Sequence, residues 1–436
     1  MKPIDILIIN GSVLTMDPRD TLIEKGAVAV SEDRIVEVGT EDALAASYQA
    51  AKTIDARGGI IMPGLVNTHT HAAMTCFRGL ADDLPLMTWL NDYIFPAEAK
   101  LTFDIVYKGT LLACSEMILS GTTTFCDMYL FEEAVARAVK EAGMRAVVGE
   151  VIYDFPSPNY GPVEEGLKYT QALIEKWRDD PLITIAVEPH SVYLCSPGLL
   201  KKARAVADQN SVPMVIHLSE TEREAADIKG KYGRAPVAHL ADIGFLCPNL
   251  IADHCVALTA EDMVLLKEFD VKVAHNPESN MKLASGIAPV PELLKHGITV
   301  GIGTDGCASN NNLDLFQEMD TAAKVHKVHT LDPTVMDART VARMATIEGA
   351  RVLGMGDIIG SLEAGKKADI IVIDIKRPHL TPMYNIYSHL VYAVTGSDVV
   401  TTVVNGRILM EDRILTTLDV DKVMAAVNLI AQSIKG

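Results

Sequence analysis

Residues 60–71 read Ile-Ile-Met-Pro-Gly-Leu-Val-Asn-Thr-His-Thr-His, a nearly unbroken apolar run that delivers two histidines at its end. A continuous apolar run suits a parallel strand buried on both faces. Residues two apart on a strand project to the same side, so His69 and His71 can reach one metal ion. Seven similar runs follow, at 122–129, 145–154, 183–190, 212–220, 250–258, 271–280 and 299–306. Segments with helical spacing lie between them, such as 131–141, 197–208 and 261–269. Eight such units suit either a (β/α)8 barrel or an open doubly wound sheet. The residues that close the runs favour the barrel. They are His69 and His71, Asp127, Asp154, His190, His217 with Glu220, His254, His275 and Asp305. Barrel strands bring such polar ends to one mouth, whereas an open sheet strings them along an edge.

The two ends of the chain read differently. Short β-branched runs at 4–9, 27–30 and 34–38 are matched by others at 368–375 and 400–410, with Asn10-Gly11 and Asn405-Gly406 as turn signals. The expected organisation is a TIM-like (β/α)8 barrel over 60–359 and a small β-sandwich domain assembled from 1–59 and 360–436. The chain has 436 residues, 49% hydrophobic and 22% charged, which is an ordinary globular balance and excludes disorder. Acidic residues outnumber basic ones 57 to 39, for a net charge of −18, and no Lys/Arg cluster exceeds a pair. Such a chain repels phosphate backbones and anionic membrane surfaces. The seven cysteines form no Cys-x-x-Cys, which removes a zinc ribbon or a dithiol redox pair. The N-terminal run is too short for a signal peptide, and no apolar run approaches the ~18 residues of a membrane span. A cytoplasmic protein is expected.

A lone His-x-His is weak support for a metal, because surface and core histidines share that spacing. Further donors at strand ends strengthen it. His217 is a candidate ligand, and Glu220 beyond it could move a proton between metal-activated water and a substrate. Glu220 could equally cap the helix that follows. His254 and Asp305 close the sixth and eighth runs, and a carboxylate at 305 can serve as ligand and as acid/base group. Three partial motifs fail. Residues 360–367 imitate a phosphate loop but are one residue short, with Lys367 where Ser or Thr is required. Ser279-x-x-Lys282 imitates penicillin-binding enzymes, but the Lys-Thr-Gly partner is absent. The cytidine-deaminase signature of His-x-Glu with Pro-Cys-x-x-Cys is also missing.

The segments MPGLVNTHTH, HCVALT, HNPESNMKL, GIGTDG and GSLEAGKKADIIVID resemble the amidohydrolase superfamily across nearly the whole chain. FRGLADDLPLMTWLNDYIFPAEAKLT, GMRAVVGEVI, EPHSVYLCSP and GTDGCASNNNLD look most like its 5-methylthioadenosine/S-adenosylhomocysteine deaminases. That resemblance implies one divalent metal ion held by His69, His71, His217 and Asp305. Zinc is the first expectation, with iron(II), manganese(II) or nickel(II) compatible with four protein ligands plus water. It implies Glu220 as proton shuttle, Asp305 as second acid/base group, and His254 on the activated water or developing oxyanion. Glu98 would bind the ribose hydroxyls, and His190 and Arg145 the substrate. Glu220 and Asp305 would touch the substrate as well. Trp89 would face the adenine or simply pack as a lid. No lysine closes the fourth run at 187–190, as the two-metal branches require, which points to the mononuclear deaminases.

The activity implied is hydrolytic deamination of the adenine ring of 5′-methylthioadenosine, S-adenosylhomocysteine or adenosine, by a homo-oligomer. The alternatives on the same scaffold are a deaminase of guanine or another aminoheterocycle, a triazine chlorohydrolase, or a non-catalytic barrel. Asn159-Tyr160-Gly161-Pro162-Val163 lacks an arginine for an amino-acid tail. Methylthioadenosine or adenosine is therefore expected to outrank S-adenosylhomocysteine.

Overall fold

The computed structural model describes residues 1–84 and 86–435, and a ring of parallel strands fills its centre. In chain order these are Leu65–Thr70, Thr122–Tyr129, Arg145–Ile152, a broken fourth made of Ile183–Ile185 and Glu188–Pro189, Met214–Leu218, Leu250–His254, Lys272–His275 and Val300–Ile302. Most are buried along their whole length, as their continuous apolar character demands. The first four pair as one parallel sheet and the last four as another. Two seams join them. At one, Val187 N–H donates to the Pro213 carbonyl and His217 N–H to the His190 carbonyl, both at 2.9 Å. At the other, Thr304 and Asp305 N–H donate to the His69 carbonyl at 3.1 and 3.0 Å. The fold is a closed (β/α)8 barrel, with helices such as Glu132–Ala142, Pro197–Asn210 and Ala260–Glu268 between its strands.

The run at 60–71 is not one strand. Ile60–Pro63 pairs antiparallel with Ile370–Ile373 in the terminal sheet, and only Leu65–Thr70 enters the barrel. Gly64 is the switch. Its N–H donates to the Asp369 carbonyl, and the next N–H, of Leu65, donates to Gly121, each at 3.0 Å. A Cβ at position 64 would lie 2.1 Å from the Thr123 side chain, so only glycine lets the chain cross here.

Nine strands from both ends form the terminal sheet. Lys2–Leu14 pairs with Leu22–Ser31, Tyr48–Asp55 and Ile60–Pro63, and Ile370–Ile373 continues the sheet to Val399–Val404 and Arg407–Glu411. Ile6, Ile8, Val28 and Val30 from one end pack with Ile370 and Val372 from the other. Asn405-Gly406 is the expected hairpin, whereas Asn10-Gly11 lies at a bulge inside a strand rather than ending one. The C-terminal helix Val420–Lys435 leaves this sheet. Its Val427, Ile430 and Ile434 join the barrel's apolar core, and Lys100 Nζ donates to the Ile434 carbonyl at 2.7 Å. The sequence placed 420–436 with the sheet because a helix carries no mark of which layer it covers.

Candidate active site

The strand ends converge as expected at the C-terminal mouth of the barrel. His69, His217 and His254 offer ring nitrogens within 4.8 Å of one another, and His69, His71 and Asp305 do the same with nitrogens and a carboxylate oxygen. In five of the six pairs among these four histidines the ring centroids lie 4.9 to 5.5 Å apart. Each outer nitrogen is already engaged. His71 Nδ1 meets the Met128 carbonyl, His217 Nδ1 the His190 carbonyl at 2.9 Å, and His254 Nδ1 the Asn280 side-chain oxygen at 2.9 Å. His69 Nδ1 lies 3.1 Å from Asp253 Oδ2. A partner on the outer nitrogen is the usual support for a metal-binding histidine.

The electrostatics fit a cation. Burial would hold His69 neutral, but Asp253 and Asp305 outweigh it and raise the ring to about 10. Burial and the neighbouring imidazoles push His217 well below its usual range, leaving a neutral donor. Asp305 is also buried, yet its bonds to His69 and His71 hold its carboxyl well below the normal carboxylate value. A site that must protonate a buried imidazole to balance its carboxylates is suited to a divalent ion in that proton's place.

Local sequence explains how the donors arrive. Ser219, His254 and Asp305 adopt left-handed backbone, with φ of 52°, 69° and 60°. Such strain persists only where surrounding contacts enforce it, and it gathers at functional sites. Gly303 makes room, since a Cβ there would meet Asn276 Oδ1 at 2.4 Å and the His69 nitrogen at 2.8 Å. The helix beyond Glu220 is capped by others. Thr221 accepts from Glu224 N–H, and Glu224 accepts from the N–H groups of Ser219 and Glu220 at 3.2 and 2.8 Å. Glu220 is therefore released from capping, and its carboxylate faces the same pocket as His217, His254 and Asp305.

That pocket is mostly apolar and aromatic. It is lined also by Trp89, Glu98, Tyr129 and His190, so with Glu220 and Asp305 five of the six expected substrate contacts line it. Burial pushes the Glu98 carboxyl up to about 7, against the pull of Tyr129 and His71. Burial and nearby imidazoles lower His190 to about 3, so it stays neutral. Arg145 is elsewhere, and its expected substrate contact is corrected. It opens strand Arg145–Ile152 at the opposite end of the barrel, where Nε and Nη2 pair with Asp369 at 3.0 and 3.2 Å. Its remaining bonds go to the Pro181 carbonyl and to Asn405.

A model of the amidohydrolase family matches residues 60–409. A curated relative from Syntrophobacter fumaroxidans, named 5-methylthioadenosine/S-adenosylhomocysteine deaminase, is 62% identical over 99% of this chain and 98% of its own length. The chain belongs to the amidohydrolase family. A relative from Methanosarcina mazei named 5′-deoxyadenosine deaminase is 48% identical over 96% of each chain. The crystal structure of an adenosine deaminase from Xanthomonas campestris with bound zinc superposes with a TM-score of 0.98 at 40% identity, covering 100% of this chain and 99% of that one.

Three residues beside this amidohydrolase site were given no role in it by the sequence. Asp253 Oδ2 approaches His69 Nδ1 at 3.1 Å, the Asn280 side-chain oxygen lies 2.9 Å from His254 Nδ1, and Ser279 Oγ donates to Asp305 Oδ2 at 2.5 Å. Ser279 and Asn280 lie in the HNPESNMKL segment, on the short helix Pro277–Lys282. Seven free cysteines are all buried, and among the described residues no helix is long and apolar enough to cross a membrane.

Proposed function

We propose that this chain is a metal-dependent hydrolytic deaminase that converts the adenine ring of 5′-methylthioadenosine, S-adenosylhomocysteine or adenosine to hypoxanthine and ammonia. The observation that carries the reading is a pair of metal-competent triads that share His69, one with His217 and His254 and the other with His71 and Asp305, beside a pocket-lining carboxylate, Glu220, that makes no hydrogen bond among the described residues. The names and near-complete coverage of the relatives support the substrate class. We assign zinc to the centre, as bound in the Xanthomonas relative, with iron(II), manganese(II) or nickel(II) as competing ions. Bound there, a divalent ion supplies the Lewis acid that makes water a nucleophile at neutral pH.

The chain's own groups then handle protons and orientation. Glu220 takes a proton from the attacking water and passes it to the ring nitrogen beside the amino-bearing carbon. His254, fixed through Asn280, donates to the oxygen that gains charge. Asp305 passes the remaining hydroxyl proton to the amino group, which leaves as ammonia. Glu98 holds the ribose hydroxyls, His190 contacts the substrate, and Trp89 covers the adenine. The catalytic unit is the barrel, from the Gly64 crossing to about residue 359. We place the protein in the cytoplasm, which its buried free thiols support, as a homo-oligomer without nucleic-acid or membrane partners.

The test is ammonia release by metal-loaded protein from methylthioadenosine, S-adenosylhomocysteine, adenosine and guanine, with a chelator-treated control. Metal-dependent release from the adenosines is expected. Release from guanine alone would replace this reading with the aminoheterocycle alternative.

A further inference from the structure

The pocket grades from polar to apolar as it opens. Its polar lining is made by metal-site residues with Glu220, Glu98 and Tyr129. Its outer part is made by Tyr153, Phe155, Tyr193 and Leu194 with Leu90. Tyr153 and Phe155 stack face to face, with ring centroids 3.8 Å apart and planes 13° from parallel. Exposure marks the direction. Tyr129 is 4% and Tyr153 7% exposed, whereas Phe155 is 40% and Tyr193 36% exposed. A nucleoside whose amino-bearing carbon sits at the floor and whose ribose reaches Glu98 must send its 5′ substituent toward this aromatic rim.

No lysine or arginine lines the pocket among the described residues, while three carboxylates do: Glu98, Glu220 and Asp305. The cation beside the lining residue Leu283 is committed elsewhere, since Lys282 Nζ bonds Asp82 Oδ1 at 2.5 Å and also Asn311 Oδ1. A carboxylate entering the rim would lose water and gain no partner. A methylthio or alkylthio group would cover the aromatic faces and gain by leaving water, with sulfur against the rings.

The geometry points to a 5′ subsite, built on the Tyr153–Phe155 pair, that takes short uncharged apolar substituents and discriminates against amino-acid tails. This inference rests on the deaminase reading above and deepens it by ranking that reading's substrates. 5′-Methylthioadenosine stands first, 5′-deoxyadenosine next, then adenosine, with S-adenosylhomocysteine last.

The experiment compares kcat/KM for those four nucleosides on the metal-loaded wild-type enzyme and on two variants of the rim. Wild type should favour methylthioadenosine over S-adenosylhomocysteine by roughly 10- to 100-fold, the scale of one unanswered bond to a charged group. Phe155→Ala should cost methylthioadenosine about tenfold, as loss of a methylene-sized contact does, and cost adenosine less. Phe155→Arg should narrow the gap by raising S-adenosylhomocysteine and lowering methylthioadenosine. Position 155 is exposed enough that neither change threatens the fold. S-adenosylhomocysteine within threefold of methylthioadenosine on wild type would mean that its tail passes freely into solvent, and would overturn the subsite while leaving the deaminase intact. An unchanged ranking in both variants would also overturn it. Silence on all four nucleosides, with metal bound, would remove the deaminase reading and the subsite together.

Discussion

The two ends of the barrel hold buried charge in opposite ways. At the base, the Arg145 guanidinium is answered by both oxygens of Asp369, the Pro181 carbonyl and Asn405, and Asp369 also accepts from the Asn405 N–H at 2.7 Å. At the mouth, three strand-end residues take left-handed backbone, four imidazoles crowd together, and the Glu220 carboxylate makes no hydrogen bond among the described residues. A matched, satisfied network locks two units together. A mismatched one, held by strain and by supporting hydrogen bonds, is configured for something the chain itself does not contain. The barrel divides labour in that sense, with stability at its N-terminal face and chemistry at its C-terminal face.

The strongest way to break this contrast is to alter the mouth and look for loss of stability in place of chemistry. Asp305→Asn removes a ligand and an acid/base group at once, and should cost about 10⁴-fold in kcat together with bound metal. Glu220→Gln should cost roughly 10²- to 10⁴-fold in kcat with metal content and thermal midpoint unchanged. Metal analysis beside steady-state kinetics separates the two. A Glu220→Gln enzyme with nearly full turnover would remove the proton shuttle from the mechanism.

The contrast also explains what the sequence could show. Runs closed by His, Asp or Glu identified the mouth, because a strand's last side chains and its direction are both written locally. Asp253 escaped because strict alternation sends residues 253 and 254 to opposite faces. The left-handed turn at His254, with φ of 69°, is what lets both approach His69. Ser279 and Asn280 escaped because their partners, Asp305 and His254, lie 26 residues away in each case. Arg145 misled for a related reason. A residue at the start of a strand sits a barrel's length from one at its end, and a motif match does not say which end it serves. The break at Gly64 was hidden because both of its strands are equally apolar.

At the base the expected effect is on stability. Arg145→Met strands the Asp369 carboxylate in a buried setting and should lower stability by about 3–5 kcal/mol. Adding Asp369→Leu should recover much of that loss, since a well-packed apolar pair often matches a buried ion pair. Thermal or urea unfolding reads the change, and KM should stay at its wild-type value in both variants. A selective rise in KM with unchanged stability would return Arg145 to the substrate and dissolve the division of labour.

The smallest expected effect sharpens the boundary between holding and reacting. Ser279 touches only one oxygen of Asp305, while Gly306 N–H binds the other at 2.7 Å and His71 Nε2 lies 3.2 Å from it. Ser279→Ala therefore leaves the carboxylate in place but frees it to rotate about the bonds that remain. Support of this kind is worth 10–100-fold in metal affinity or activity, and the surviving contacts place Ser279 near the lower end, at about tenfold. The loss should fall on kcat more than KM, because the nucleoside reaches the pocket through other residues. Ser279→Thr keeps the hydroxyl and should restore most of the rate. If threonine fails to rescue while the fold and metal content are normal, the hydroxyl is not what matters and packing around the short helix is the better explanation. Rescue would show that even where the mouth looks satisfied, its hydrogen bonds serve the geometry of the reacting groups more than the stability of the barrel.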